Sequence, residues 1–191
     1  MGVAAHPHRE RQRVLLTGLL PDITTDPAIE TAIDSVEAGR SGTIVAPVGI
    51  RPPLLAAVAS RAATPLVVLT ATGRDAESLT NALASWIPGV AMLPAWETLP
   101  HERLSPQVDT MARRIAVLRR LVHPITGDDS AGPMSVLVVP IRAFLQPIIS
   151  GLADLEPVRV RTGDILDLTE TTNRLAELGY ERVDMVEGRG Q

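Results

Sequence analysis

Leu66-Val67-Val68-Leu69-Thr70 runs directly into Ala71-Thr72-Gly73-Arg74-Asp75, and this junction decides the fold. A short apolar run rich in β-branched residues and bounded by turn formers reads as a fully buried strand. Thr72 followed three residues later by Asp75 has the spacing of a capping box, so a helix starts there. Along that helix Ala76, Leu79, Leu83 and Trp86 recur at three- and four-residue intervals, which gathers them on one face. Pro88-Gly89 ends the helix and Val90–Leu93 reads as the next strand.

The same alternation continues outward. Thr43–Ala46 is a short apolar run entered through Ser41-Gly42 and is taken as the first strand, followed by a helix over Leu54–Ala63 opened by Pro52 and Pro53. On the other side, Ser105-Pro106 is a strong helix start, and Val108, Met111, Ile115, Leu118 and Val122 mark one apolar face. Ser135–Val139 reads as another buried strand, with a helical turn around Ala143–Ile149 after it. Buried strands separated by helices imply an α/β fold with a parallel sheet covered on both sides.

Composition narrows the function classes. The chain has 191 residues, 45% of them hydrophobic and 21% charged, which suits one ordinary domain or a domain plus the opening of another. Only four residues are aromatic, so Leu, Ile, Val and Ala must build the core. The absence of cysteine excludes disulfides, thiolate metal sites and thiol nucleophiles. The four histidines, His6, His8, His101 and His123, are scattered, which is poor support for a metal site. A net charge of −4 gives no general attraction to nucleic acid or anionic membrane. Val14–Leu20 is too short and too poorly flanked for a signal sequence, and no apolar stretch reaches spanning length, so the cytoplasm is expected. All 18 basic residues are arginines.

After Gly151 the pattern changes. Val158–Arg161 alternates apolar and basic residues as a strand would, and Gly163-Asp164 turns into a helix carrying Leu168, Leu175 and Leu178. Tyr180–Val186 alternates again. Two strands rarely hold alone, so this piece is expected to be the start of a second domain within a longer protein. The expected organisation is a variable segment over residues 1–25, an α/β domain over 26–151, and the opening of another domain over 152–191.

One segment reads as a signature: Leu93-Pro94-Ala95-Trp96-Glu97-Thr98-Leu99-Pro100, continued by Leu104-Ser105-Pro106 and Asp109. It resembles the Trp-Glu-Thr-Leu-Pro motif near the front of the bacterial transcription-repair coupling factors. The arginine-bearing helix after it, the strand Val136–Pro140, and Gly163-Asp164, Leu175 and Gly179–Asp184 extend that resemblance over roughly residues 42–191. It implies a RecA-like domain similar to the front of the excision-repair subunit UvrB, followed by the beginning of an α+β domain like UvrB domain 2. That second domain, once complete, would engage UvrA. In the parent the resemblance implies, RNA polymerase, DNA, ATP and magnesium are bound by parts further along, and no cofactor is expected in this segment.

In such a domain a phosphate loop would follow the first strand, at Pro47, Val48, Gly49, Ile50 and Arg51, with Pro52 and Pro53 next. A working loop needs glycines that aim backbone N–H groups at phosphate, with a lysine and a hydroxyl. Here three prolines lack an N–H, Gly49 stands alone, and there is no lysine in the sequence. The expectation is a vestigial loop that does not hold ATP. The aromatic hairpin with which UvrB probes damaged DNA also has no counterpart between Trp96 and the next helix, where no tyrosine or phenylalanine occurs.

Four residues are candidate partner contacts. Trp96 is either an interface anchor or a plug that orders its own loop at the end of the sheet. Arg159, Arg161 and Arg182 lie on alternating segments and could form one basic patch for an acidic partner, or simply confer solubility. Glu97, His101 and Glu102 lack an accompanying nucleophile or metal set, so they read as loop residues. Arg113, Arg114, Arg119 and Arg120 spread around their helix, which favours solvated side chains over a DNA-binding stripe. Two function classes therefore stand: a non-catalytic interaction module, and a stand-alone small-molecule or nucleotide-binding α/β protein with its ligand at the carboxyl ends of the strands.

Overall fold

The computed structural model describes residues 15–98, 107–127, 131–158, 160, 163–177 and 180. Three strands, β1 (Leu66–Thr70), β2 (Val90–Met92) and β3 (Val136–Pro140), form an all-parallel sheet in the order β1-β3-β2. Leu66 sits opposite Val136 and Thr70 opposite Pro140, while Val90 also faces Val136 across the other edge of β3. The helices are α1 (Leu20–Thr24), α2 (Pro27–Glu37), α3 (Arg51–Arg61), α4 (Gly73–Leu83), α5 (Val108–Val122), α6 (Ile141–Phe144) and α7 (Leu168–Glu177). The α/β expectation holds: a small parallel sheet is flanked by helices.

The anticipated capping box forms. The Thr72 hydroxyl accepts from the Asp75 N–H at 3.1 Å and donates to the Asp75 carboxylate at 2.8 Å. With its first turn tied down, α4 lays Ala76 and Leu83 against Val136 and Val138 on one face of the sheet, together with Ala56, Ala57 and Ile33 from α3 and α2. Leu20 joins this layer too, and the Leu16 N–H donates to the Ser85 carbonyl at 2.7 Å, so part of the 1–25 segment is packed into the core. At Pro88-Gly89 the chain turns through a positive φ of 76°, and a Cβ on Gly89 would lie 2.9 Å from the Ser135 nitrogen. Glycine is what lets β2 enter beside β3.

The opposite face is thinner. Leu137 and Val139 pack there with Leu93, Met134, Val117 of α5 and Ala143 of α6. That cover stops short of β1, where Val67 and Leu69 remain 51% and 47% exposed. The strand expected to be fully buried is thus half-buried, because helices close only one side of it. Only β3, in the middle, is buried along its whole length.

Other expectations need correction. Thr43–Ala46 does not form a strand; Val45 is 96% exposed and the segment stays irregular until a 3-10 turn at Val48–Ile50. α3 starts at Arg51, three residues before the expected Leu54, because Pro52 and Pro53 have no N–H to lose in a first turn. The turn expected around Ala143–Ile149 is instead α6, ending at Phe144. Val158 and Val160 lie in irregular chain rather than a strand. Ser105, Pro106, His101 and the Tyr180–Val186 strand beyond Tyr180 lie outside the described residues.

The largest correction concerns α5. Its buried side chains are Thr110, Arg114, Val117 and Leu118, whereas Val108 and Val122 are exposed. At about 100° per residue, this face is rotated by roughly a quarter turn from the anticipated apolar stripe, sharing Leu118 with it. The face turned inward combines a guanidinium with Val117 and Leu118.

Candidate loop-anchoring site at the strand ends

Chain segments leaving β2 and β3 meet at the carboxyl end of the sheet, where open α/β sheets place their ligands. From β2 comes Leu93–Thr98, carrying Trp96; from β3 comes α6 with Arg142 and, just beyond it, Gln146. Gln146 grips the main chain of Trp96 on both sides. Its Oε1 accepts from the Trp96 N–H at 2.8 Å and its Nε2 donates to the Trp96 carbonyl at 3.3 Å. Such a two-point amide brace replaces the strand partner that the backbone loses after Leu93, whose N–H still donates to the Val138 carbonyl.

Beneath this loop lies Arg114, only 1% exposed. Its guanidinium carbon is 4.4 Å from the Trp96 ring centroid, and its Nη1 donates to the Pro94 carbonyl at 2.6 Å. Burial pushes the Arg114 pKa down, yet an arginine stays charged under ordinary conditions. Among the described residues, the indole face and the carbonyl receive this charge and its Nε has no hydrogen-bond partner. Cation–π contact gains strength on desolvation, and here the guanidinium is buried.

Glu97 closes the arrangement. Its carboxylate accepts from the buried Thr110 hydroxyl, and its carbonyl accepts from Arg142 at 3.1 Å. Partial burial pushes the Glu97 pKa up. Hydrogen bonds from Thr110 and from backbone groups of Glu97 and Gln107, with the Arg142 charge, outweigh that and hold it below its ordinary value. The sequence treated Glu97 as a bland loop residue; it ties the loop to α5.

Trp96 itself is partly buried. The indole is ordered from below, by a cation that spacing alone had assigned to solvent. Arg119 and Arg120 are likewise engaged. Arg119 donates to the Leu155 carbonyl at 3.1 Å, and Arg120 donates to the Gly132 and Pro133 carbonyls. Of the four arginines only Arg113 keeps a solvated surface role, pairing with Asp109 one turn earlier at 2.8 Å.

Arg159, Arg161 and Arg182 lie outside the described residues. At Pro47, Val48, Gly49, Ile50 and Arg51 the backbone closes a 3-10 turn, in which the Ile50 N–H donates to the Pro47 carbonyl at 3.1 Å and the Arg51 N–H to Val48. Among the described residues no helix is long and apolar enough to cross a membrane.

No family model matches the chain. It is 46% identical over 152 residues to the transcription-repair-coupling factors of Mycobacterium bovis and Mycobacterium tuberculosis, covering 78% of this chain. To the protein of that name from Escherichia coli it is 26% identical over 140 residues, 72% of this chain. In each case the matched part is 12% of the relative's own length, so the chain corresponds to a small portion of those proteins. With that extent of identity, and with the Trp96 signature anchored as described, the chain belongs to the transcription-repair-coupling factor family.

Proposed function

We propose that this chain is a non-catalytic interaction module of a transcription-repair coupling factor. The parent would be an ATP-dependent DNA translocase that displaces stalled RNA polymerase and recruits UvrA for nucleotide excision repair. Residues 26–151 would be a RecA-like domain whose phosphate loop has decayed, and residues 152–191 the opening of the domain that engages UvrA. ATP and magnesium would serve only the motor of the parent.

The observation that carries this reading is the turn at Pro47–Arg51. A phosphate cradle needs several consecutive N–H groups pointing at one anion. Here Pro47, Pro52 and Pro53 have none, and those of Ile50 and Arg51 are spent inside the turn. With no lysine in the sequence, the loop also lacks the usual cation for the outer phosphates. A scaffold in that condition can still present surfaces. Trp96, on its braced loop, and the arginines Arg159, Arg161 and Arg182 are the surfaces proposed for partners, the three arginines for an acidic face of UvrA.

A pull-down of UvrA by the parent protein tests the arginine surface. Changing Arg159, Arg161 and Arg182 together to Glu is expected to weaken capture at least tenfold, whereas undiminished capture removes those residues from the interface.

A further inference from the structure

α5 makes its attachments in an unusual way. Its exposed side carries Val108, Met111 and Val122, so of its aliphatic residues Val117 and Leu118 alone are fully buried. Three guanidinium groups spread around the helix each reach a carbonyl in a different segment. Arg114 holds Pro94 in the loop after β2, Arg120 holds Gly132 and Pro133 before β3, and Arg119 holds Leu155 beyond α6. The last segment forms a strap, Gly151–Glu156, built on a 3-10 turn at Leu152–Asp154. The strap is fastened a second time, where His123 Nε2 lies 2.7 Å from Asp154 Oδ1, and Glu156 stands 3.7 Å from Arg119.

A rigid 15-residue helix thus has the Trp96 loop at its amino-terminal half and the strap at its carboxyl-terminal half. Elements held by few buried apolar contacts are those that shift at low free-energy cost. We propose that α5 mechanically couples the two: a partner surface that captures the Trp96 indole withdraws it from Arg114, reseats α5, and loosens the Gly151–Glu156 strap. Loosening the strap frees the direction in which the chain continues toward residues 157–191. The biological use of this device rests on the docking role proposed above for Trp96, but the coupling itself exists in the chain without any partner.

Hydrogen exchange on the 191-residue chain, followed by mass spectrometry, tests it. The readout is the strap amides, where the Asp154 N–H donates to Gly151 and the Leu152 N–H to Ile149. In Trp96→Ala and Arg114→Lys, the strap is expected to exchange about tenfold faster while β1 and β3 stay as protected as before. Strap exchange unchanged in both variants overturns the coupling, and so does acceleration of strap and strands together, which reports general destabilisation. Arg119→Gln frees the strap directly, and because coupling is reciprocal it is expected to alter Trp96 fluorescence in a Trp86→Phe background; fluorescence unaltered by a freed strap also contradicts the proposal. No partner enters the measurement, so its failure is separate from a failure of the UvrA pull-down.

Discussion

The Arg114 guanidinium lies 4.4 Å from the centre of the Trp96 ring and donates to the Pro94 carbonyl two residues before it, so one buried cation fixes both the ring and the backbone of the signature loop. This relationship explains the rotation of α5. An inward Arg114 turns the helix about a quarter turn away from the aliphatic stripe, which leaves Val108 and Val122 exposed.

Arg114→Lys is predicted to destabilise the protein by about 2 kcal/mol, the scale of a charge-assisted hydrogen bond and a desolvated cation–π contact. Lysine is a compact ammonium without the planar fork, so it serves the ring or the carbonyl and not both. Urea unfolding checks this; an unchanged midpoint would remove Arg114 from the account.

The two faces of the sheet should respond differently to substitution. Leu83→Ala deletes a fully buried side chain from the thicker layer and is expected to cost about 2–5 kcal/mol. Val67→Thr, on the side of β1 that helices leave open, is expected to cost less than about 1 kcal/mol. Similar costs at the two positions, measured by denaturant midpoints, would mean that the uncovered side is buried.

At Gly89 a methyl group meets backbone rather than a movable side chain, and the residue also holds a positive φ. Gly89→Ala is therefore expected to destabilise by about 1–3 kcal/mol, combining strain with displacement of the Ser135 backbone. A melting temperature equal to that of the unaltered protein would argue against this register of β2 on β3.

The fold class was legible because strand-to-helix junctions carry local chemistry. Thr72 and Asp75 need only each other to start α4, and Pro88-Gly89 needs only its own backbone to stop the chain before β2. Cover and orientation were less legible, because they depend on residues distant in sequence. Nothing near Leu66–Thr70 tells that, among the described residues, one side of β1 lacks a helix, and nothing near Val108 tells that Arg114 turns inward in place of most of the aliphatic stripe. Thr43–Ala46 has strand-like composition, yet composition without a neighbouring strand gives no ladder. At the site, Trp96 stood out as one of two tryptophans in a proline-bounded segment, while its partners Arg114 and Gln146 lie 18 and 50 positions further along. A hint was available in retrospect: an arginine within an otherwise helical pattern, in a chain with no lysine, is a candidate for planar contact rather than solubility.

Glu97 supplies a pH-dependent test. Its carboxyl is held below its ordinary value, so the contribution of the charged form is fully present above the unfolded value, about 4.3, and is lost as pH falls through the lower folded value. In a Trp86→Phe background the emission of Trp96 should stay constant from neutral pH down to about 4.5 and shift below it. Glu97→Gln should remove that transition. A transition centred well above pH 5 would contradict the hydrogen-bonded carboxylate described here.

The central claim is that the turn at Pro47–Arg51 no longer serves a nucleotide. Thermal unfolding of the 191-residue chain, with and without millimolar ATP and magnesium, tests it most directly. A ligand present at about 100 times its dissociation constant stabilises the folded state by about 2.7 kcal/mol, easily seen as a rise in melting temperature. The account predicts superimposable curves; a melting temperature that climbs with ATP concentration would contradict it.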